Sequence, residues 1–374
     1  MKFQYLLCIF LLLLFLILPV SADTYIYEGA ADSTLDTAWE SFLESLPEDI
    51  HRETSGMDPD VPESWKQYLT FSYWKEKLSS VFRDRLQNTL TDLASLFGMV
   101  LCIAGIQQWS ENSMNNVFGF CSDVCMALTI FHTAEGIFSM LRQFLEQLCQ
   151  VMTGMIPVMT AVCYSSGEIT TASVNRISMT LFITVLNTLQ RWLFTPLGQA
   201  LFSLGILGAV CTQIQLGGFI AGVKKLFMTL FSFMLLIYSF VYGIQNTLAK
   251  SADSLGLRTV KFAIGNFIPV VGGTVSDAFS SVREGLGYVR IMTGISGIIV
   301  IVLMVLPIAV SVWVFDMVLA CSHTTAELLG CSQSARMLTD TRSILQLLSA
   351  MIWLAVTFFI FSIILFTKTA VQAG

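Results

Sequence analysis

The sequence predicts an all-α polytopic helical membrane protein of six to eight spans. It also predicts an interrupted or re-entrant segment near 260–276 and an exported amphipathic helix towards the N-terminus. Three observations carry this fold class. Of the 374 residues, 55% are hydrophobic and only 12% charged, against about a quarter charged in ordinary soluble domains. Mean hydropathy is +0.71. Several apolar runs reach the roughly 20 residues that a helix needs to cross about 30 Å of hydrocarbon, where it satisfies its own backbone groups.

The chain opens on a processing signal. Lys2 precedes the run LLCIFLLLLFLILPV, and Val20, Ser21 and Ala22 supply residues that a signal peptidase reads. Residues 1–22 are expected to be a signal peptide cleaved before Asp23, with an uncleaved signal anchor as the alternative. Cys8 lies inside the run rather than at its end, which argues against a lipoprotein. Either way the next segment is delivered outside the cytoplasm. Residues 23–92 carry 15 acids and 6 bases, a net of −9, whereas 93–374 carry 11 acids and 13 bases, a net of +2. The acidity of the chain therefore belongs to its exported part.

Residues 23–60 read as an acidic linker with one short helix near TAWESFLESL. Residues 61–92 read as an amphipathic helix. Asp60 and Glu63 resemble a capping box, Pro62 falls in the first turn, and Trp65, Leu69, Trp74, Leu78, Phe82, Leu86, Leu90 and Leu93 follow at three- to five-residue steps. Lys75, Lys77, Arg83 and Arg85 occupy the other faces. Such a helix packs on its own protein or lies against a membrane or a partner.

The membrane domain runs from 93 to 374. Strong spans are expected at 226–244, 291–315 and 344–366. Weaker ones are expected at 93–109, 117–141, 148–164 and 177–215, the last broken at Pro196. Lys250, Arg258, Lys261, Arg283 and Arg290 cluster between the first two strong spans, and Lys368 follows the last. The bias of such residues towards the cytoplasm places 245–290 and the C-terminus on that side, although Lys224 and Lys225 weaken the asymmetry. A faint echo links Met155-Ile156-Pro157-Val158 to Phe267-Ile268-Pro269-Val270.

Motifs for chemistry are absent: there is no GxxxxGK[ST], no G-x-S-x-G and no H-E-x-x-H. The chain is expected not to be an enzyme and to use no cofactor, metal or nucleic acid. Cys121, Cys125 and His132 come nearest to a metal set, but a single helix cannot close a coordination shell. The nine cysteines avoid the acidic segment and imply no disulfide framework; Cys321 and Cys331 are the one pair close in a short polar loop. Ionisable residues in apolar text cost roughly 2.5 to 3.5 kcal/mol at a helix centre on insertion scales and so face protein or water. Asp123, His132 and Glu135 are the candidate intramembrane polar residues, with Glu168 and Arg191 nearby in sequence. Gly218 and Gly222 form a GxxxG, and Gly205, Gly208, Gly294, Ser296 and Gly297 give further smooth patches for helix packing.

The stretch KFAIGNFIPVVGGTVSDAF, 261–279, interrupts apolar text with Asn266, Pro269, Gly272 and Gly273. Pro269 removes a backbone donor and the glycine pair weakens a helix, so a broken element facing protein or a cavity is expected. Thr259 to Ala263, the run Phe267 to Gly273 and Ser276-Asp277-Ala278 together resemble the hallmark segment of the stage III sporulation protein AE family. The signal-like start, the Met155 to Val158 stretch before Ser165-Ser166-Gly167, the small residues near Gly217-Gly218 and the apolar last third stand in the order of that family.

That resemblance implies a non-enzymatic subunit of a sporulation channel, or feeding tube, in the mother-cell membrane around the forespore. Its implied partners are the other stage III A proteins, among them a secretion-type ATPase and ring-forming subunits, and a forespore channel partner. The lipid bilayer surrounds it, and association with its own copies stays open. Asn266, Phe267, Pro269, Gly272, Gly273 and Asp277 are the candidate pore or assembly segment. The competing expectation is a self-sufficient proton-coupled secondary transporter built on Asp123, His132 and Glu135.

Overall fold

Polar residues inside the apolar text do not end the helix Asn115–Ser165, and two of the described helices end at glycines with left-handed backbone. The computed structural model describes residues 33–54, 67–68, 70–109, 115–189, 217–267 and 272–371, with a few isolated positions between them. In chain order the helices are α1 (Ser33–Glu44), α2 (Glu48–Thr54), α3 (Phe71–Trp109), α4 (Asn115–Ser165), α5 (Ile169–Leu189), α6 (Gly217–Phe267), α7 (Gly272–Leu328) and α8 (Ser332–Val371). No strand occurs among the described residues. The expected signal peptide and the capping-box residues near 60–63 lie outside them.

Five described stretches are long and apolar enough to cross a membrane: Phe71–Ile106, Phe120–Ser165, Ile169–Leu189, Gly287–Leu328 and Ser332–Ile364. The strongly apolar run 226–244 lies on α6. Several expected boundaries move. The amphipathic stretch and the first apolar stretch are one helix, α3. The stretches 117–141 and 148–164, expected as two spans, are likewise one helix, α4. The residues between them include Glu146, Gln147, Arg142 and Gln143, which are good helix formers and read as a loop only by their polarity. At 51 residues α4 is about 77 Å long, more than twice the hydrocarbon thickness. Pro157 lies inside α4, so the first member of the sequence echo is not a helix break. The span expected from 177 begins at Ile169, and the rest of 177–215 lies almost wholly outside the described residues.

Two helix hairpins are built on the same turn. Gly167 and Gly330 have φ of 73° and 76°, the left-handed conformation in which glycine carries no Cβ penalty. The Gly167 amide donates to the Tyr164 carbonyl and the Glu168 amide to that of Cys163, at 2.9 Å each. Gly330 and Cys331 repeat the pattern on Glu327 and Ala326. This is the Schellman arrangement, which satisfies the last carbonyls of one helix. Glu168 and Cys331 then accept from Ala172 and Ala335, so each is at once the end of one turn and the cap of the next helix.

The α7/α8 hairpin carries the most apolar segments, with mean hydropathy of 3.0 and 2.5. Residues 291–315 are free of charge between Arg290 and Asp316, and 343–367 between Arg342 and Lys368. Each 25-residue run is about 37 Å long, enough to cross a bilayer with some tilt. Arg342 closes one end of the hairpin by a two-pronged bond to Asp316, Nε to Oδ1 at 2.6 Å and Nη2 to Oδ2 at 2.7 Å. Gly294 and Gly297 allow close crossing. A Cβ on Gly294 would run into Thr367 Cγ2, and one on Gly297 would stand 2.9 Å from Met155 Cε.

Around this hairpin α3, α4, α5 and α6 stand in a row, each packed on its neighbour and on α7 or α8. Its two ends, α3 and α6, share no extended contact among the described residues. The ring of Phe82 on α3 meets Trp313 on α7. α2 is clasped to α3 by Glu53, which accepts from Lys77 Nζ at 2.6 Å and from the Tyr73 hydroxyl. The start of α3 is thus held at Tyr73, Lys77 and Phe82, while Phe71, Leu78, Leu86 and Leu90 of its apolar face stay exposed. α1 and the turn after it cover Gly154 of α4, where an added Cβ would clash with Ser45 Oγ and touch Phe42.

Candidate functional site

The turn at Gly167 places Glu168 immediately before α5. Its carboxylate reaches across the bundle to Arg290, the last residue before the charge-free run of α7. Nη1 of Arg290 donates to Glu168 Oε2 at 2.5 Å, and the two side chains are 1% and 4% exposed. Arg290 Nε donates to the Phe366 carbonyl on α8 at 2.8 Å, and the guanidinium lies 4.6 Å from the centroid of the Phe366 ring. Burying a lone charge is costly by several kcal/mol, so the pair persists only because each ion is answered. The apolar stretches of α4, α5, α7 and α8 begin or end near this layer.

Asp253 caps the start of α5. From α6 it accepts the amides of Thr170 at 2.9 Å and Thr171 at 2.7 Å, the orphan donors of an α5 N-terminus. Burial alone would raise the Asp253 carboxyl, but the bonds from Thr171 and Thr170 outweigh it and hold the group below its ordinary range. Further along the seam the Tyr242 hydroxyl donates to Asn175 Oδ1 at 2.8 Å and Ser178 donates to Gln245 at 2.9 Å. The Tyr238 hydroxyl reaches the Ser178 carbonyl. Asn246, 2% exposed, keeps its Oδ1 without a partner among the described residues.

This arrangement holds together five helices at one end of the bundle through charge and polar groups withdrawn from solvent. The residues singled out in the sequence stand elsewhere. His132 and Glu135 are exposed on α4; Asp123 is on the same helix, its side chain outside the described residues. Cys121 and Cys125 are exposed and free, and no group of three or more metal-ligating side chains stands together among the described residues. Cys321 is exposed and Cys331 buried, and the two are not joined by a disulfide. Gly218 and Gly222 are exposed on α6, and a Cβ on either would meet nothing. Asn266 and Phe267 form the last turn of α6, and Gly272, Gly273 and Asp277 the first turns of α7; Pro269 lies outside the described residues.

Glu168 and Arg290 were visible in the sequence only as a charge near a weak span and as part of a basic cluster. The overlooked signals were local. Glu168 follows a Ser-Ser-Gly helix stop, and Arg290 immediately precedes 25 residues without charge.

The fold and this layer define a polytopic helical membrane protein whose buried charges join its helices. The comparisons narrow the class. The family model for stage III sporulation protein AE matches residues 63–370, and the chain belongs to that family. Stage III sporulation protein AE of Bacillus subtilis (strain 168) is 24% identical over 244 residues, which cover 64% of this chain and 59% of the relative. The matched part thus spans less than two thirds of that relative's length. No solved structure matches.

Proposed function

We propose that this chain is a non-enzymatic membrane subunit of a secretion-like channel complex linking mother cell and forespore, required for late forespore gene expression and spore formation. It sits in the mother-cell membrane that surrounds the forespore, with its N-terminal segment outside the cytoplasm. Its partners are the other stage III A proteins, including a secretion-type ATPase and ring-forming subunits, and a forespore channel component. Family membership over residues 63–370 carries this reading. The buried charges support it, since Glu168, Arg290 and Asp253 are spent on joining helices. His132 and Glu135, which a proton-coupled transporter would enclose, face outward.

The segment 261–279 is assigned to the pore or to assembly. Photo-crosslinking from position 267 in sporulating cells tests this. Adducts to other sporulation membrane proteins are expected, with loss of sporulation but normal membrane insertion on deleting Gly272 and Gly273. Adducts confined to the chain, together with proton-coupled solute uptake by the purified protein alone, would replace the channel reading by the transporter.

A further inference from the structure

One flank of the bundle carries charge at the depth where another carries only apolar surface. The depth is fixed by contacts. Phe42 of α1 and Ser45 just past its end lie over Gly154 of α4, and the next residue, Met155, reaches Gly297 of α7, where Ile363 of α8 also stands. Gly297 and Ile363 are inside the charge-free runs 291–315 and 343–367, and Gly297 is seven residues beyond Arg290, about 10 Å into its run. α1 therefore packs within the thickness of the two most apolar helices, although it belongs to the acidic N-terminal part of the chain.

α2 and the start of α3 lie in the same range of depth. Trp313 is 23 residues beyond Arg290, about 35 Å along α7, and Phe82 meets it. α3 runs in the same direction as α7, because α4 ends at the Glu168 level and its far end is joined to α3 by five residues. Lys77, five residues before Phe82, is then about 8 Å lower, still within the charge-free run. Its Nζ holds Glu53 at 2.6 Å, with the two side chains 29% and 21% exposed. An ion pair thus opens onto the surface at this depth.

α1 turns two unlike faces outward and inward. Leu35, Trp39 and Phe42 are buried, whereas Asp36, Glu40 and Glu44 are exposed and stand four residues apart, in one line along the helix. No Lys or Arg occurs in α1 to answer them. Glu44 adjoins Ser45 at the depth of Gly154, and Glu40 is one turn away, about 6 Å.

α6 presents the contrasting flank. Phe233, Leu236 and Phe240 are exposed there and precede Asp253 by 20, 17 and 13 residues, about 20 to 30 Å from the same ion-pair layer. Hydrocarbon fits that side. It does not fit the α1 side, because ionisable groups at membrane depth face the protein interior or water, and these carboxylates are turned away from the protein. α1 and α2 share no extended contact with α6 among the described residues, so the two surfaces are separate flanks.

We propose that the α1–α2 flank faces a water-filled vestibule within the membrane, with Asp36, Glu40, Glu44 and the Glu53–Lys77 pair on its wall and α6 on the lipid side. Leu35, Trp39 and Phe42 hold α1 against the bundle, and the outward carboxylates exclude lipid. The inference rests on the membrane class of the chain and not on the channel reading, since a lone transporter would carry the same vestibule.

The test uses the full chain in nanodiscs, with an environment-sensitive fluorescent residue at position 40 or 236, and in a third sample a photo-reactive residue at position 45. Acrylamide quenches from water, and doxyl-labelled lipid chains quench from hydrocarbon. Acrylamide should quench position 40 several-fold more strongly than position 236, and the lipid quencher should reverse that order. The crosslink from position 45 should fall within 150–158 of the same chain. Quenching of position 40 by the lipid chains, or by neither agent, would overturn the proposal. So would a crosslink from 45 that misses α4, because α1 would then owe its access to water to standing away from the bundle.

Discussion

Glu168 and Arg290, 122 residues apart in sequence, meet at 2.5 Å with both side chains almost wholly withdrawn from solvent. The contact joins the α4/α5 hairpin to the α7/α8 hairpin, and Arg290 extends it to α8 through the Phe366 carbonyl. Removing one partner strands the other charge in the interior. Glu168→Gln or Arg290→Met alone should therefore destabilise the protein by about 3 to 5 kcal/mol. The double variant should lose clearly less than the sum, because it leaves no uncompensated ion. Unfolding in detergent micelles, followed by helical circular dichroism, measures all three. Additive losses would show that the two charges do not act as a pair.

The turn before Glu168 is the next point of strain. Ala at a left-handed position costs roughly 1 to 2 kcal/mol. Gly330→Ala should show about that, since its added Cβ meets nothing. Gly167→Ala should lose more, because its Cβ would also stand 3.1 Å from Leu257 Cδ2 on α6. Gly330→Asn should recover part of the loss, as Asn tolerates the left-handed region. Thermal unfolding of the three variants ranks them; equal effects at 167 and 330 would mean that Leu257 yields freely.

Much of the fold was legible from hydropathy and very little of the site. The apolar runs 291–315 and 344–366 fall on α7 and α8 because a charge-free segment long enough for a bilayer has few other fates. The helix near TAWESFLESL is present as α1, and the smooth Gly294 to Gly297 patch does admit close neighbours. The junction in α4 was misread because polarity was taken for a break, when only turn chemistry ends a helix. The ion pair was hidden for a different reason. Its partners are far apart in sequence, and each is unremarkable in its own window: an acid beside a glycine turn, a base at a span edge. Nothing local tells an Arg that anchors in headgroups from one that turns inward to a carboxylate.

Asp253 gives the bundle a pH dependence whose sign follows from its cap role. The folded state holds its carboxyl below the ordinary value of 3.8, so the folded form binds the proton less readily than the unfolded chain. Its contribution is complete above the unfolded pKa and is lost as pH falls through the folded one. Stability should thus decline below about pH 4. Asp253→Ala should cost about 0.5 to 2 kcal/mol at neutral pH and flatten that part of the acid decline. The comparison is of unfolding midpoints for both proteins between pH 7 and pH 3. A variant with an unaltered acid profile would show that the carboxylate does not cap α5.

Asn246 supplies the opposite test, because here polarity carries no visible return. Its Oδ1 is buried without a partner among the described residues, and a buried unsatisfied acceptor costs about 1 to 3 kcal/mol. Asn246→Leu, close in size, should then leave stability unchanged or raise it. Tyr242→Phe, one turn away, should behave differently: it strips Asn175 Oδ1 of its donor and should lose about 1 kcal/mol. Both are read from the same unfolding curves. If Asn246→Leu instead loses more than Tyr242→Phe, the amide oxygen accepts a bond in the native protein, and the α5/α6 seam is a hydrated or partnered surface rather than a dry one.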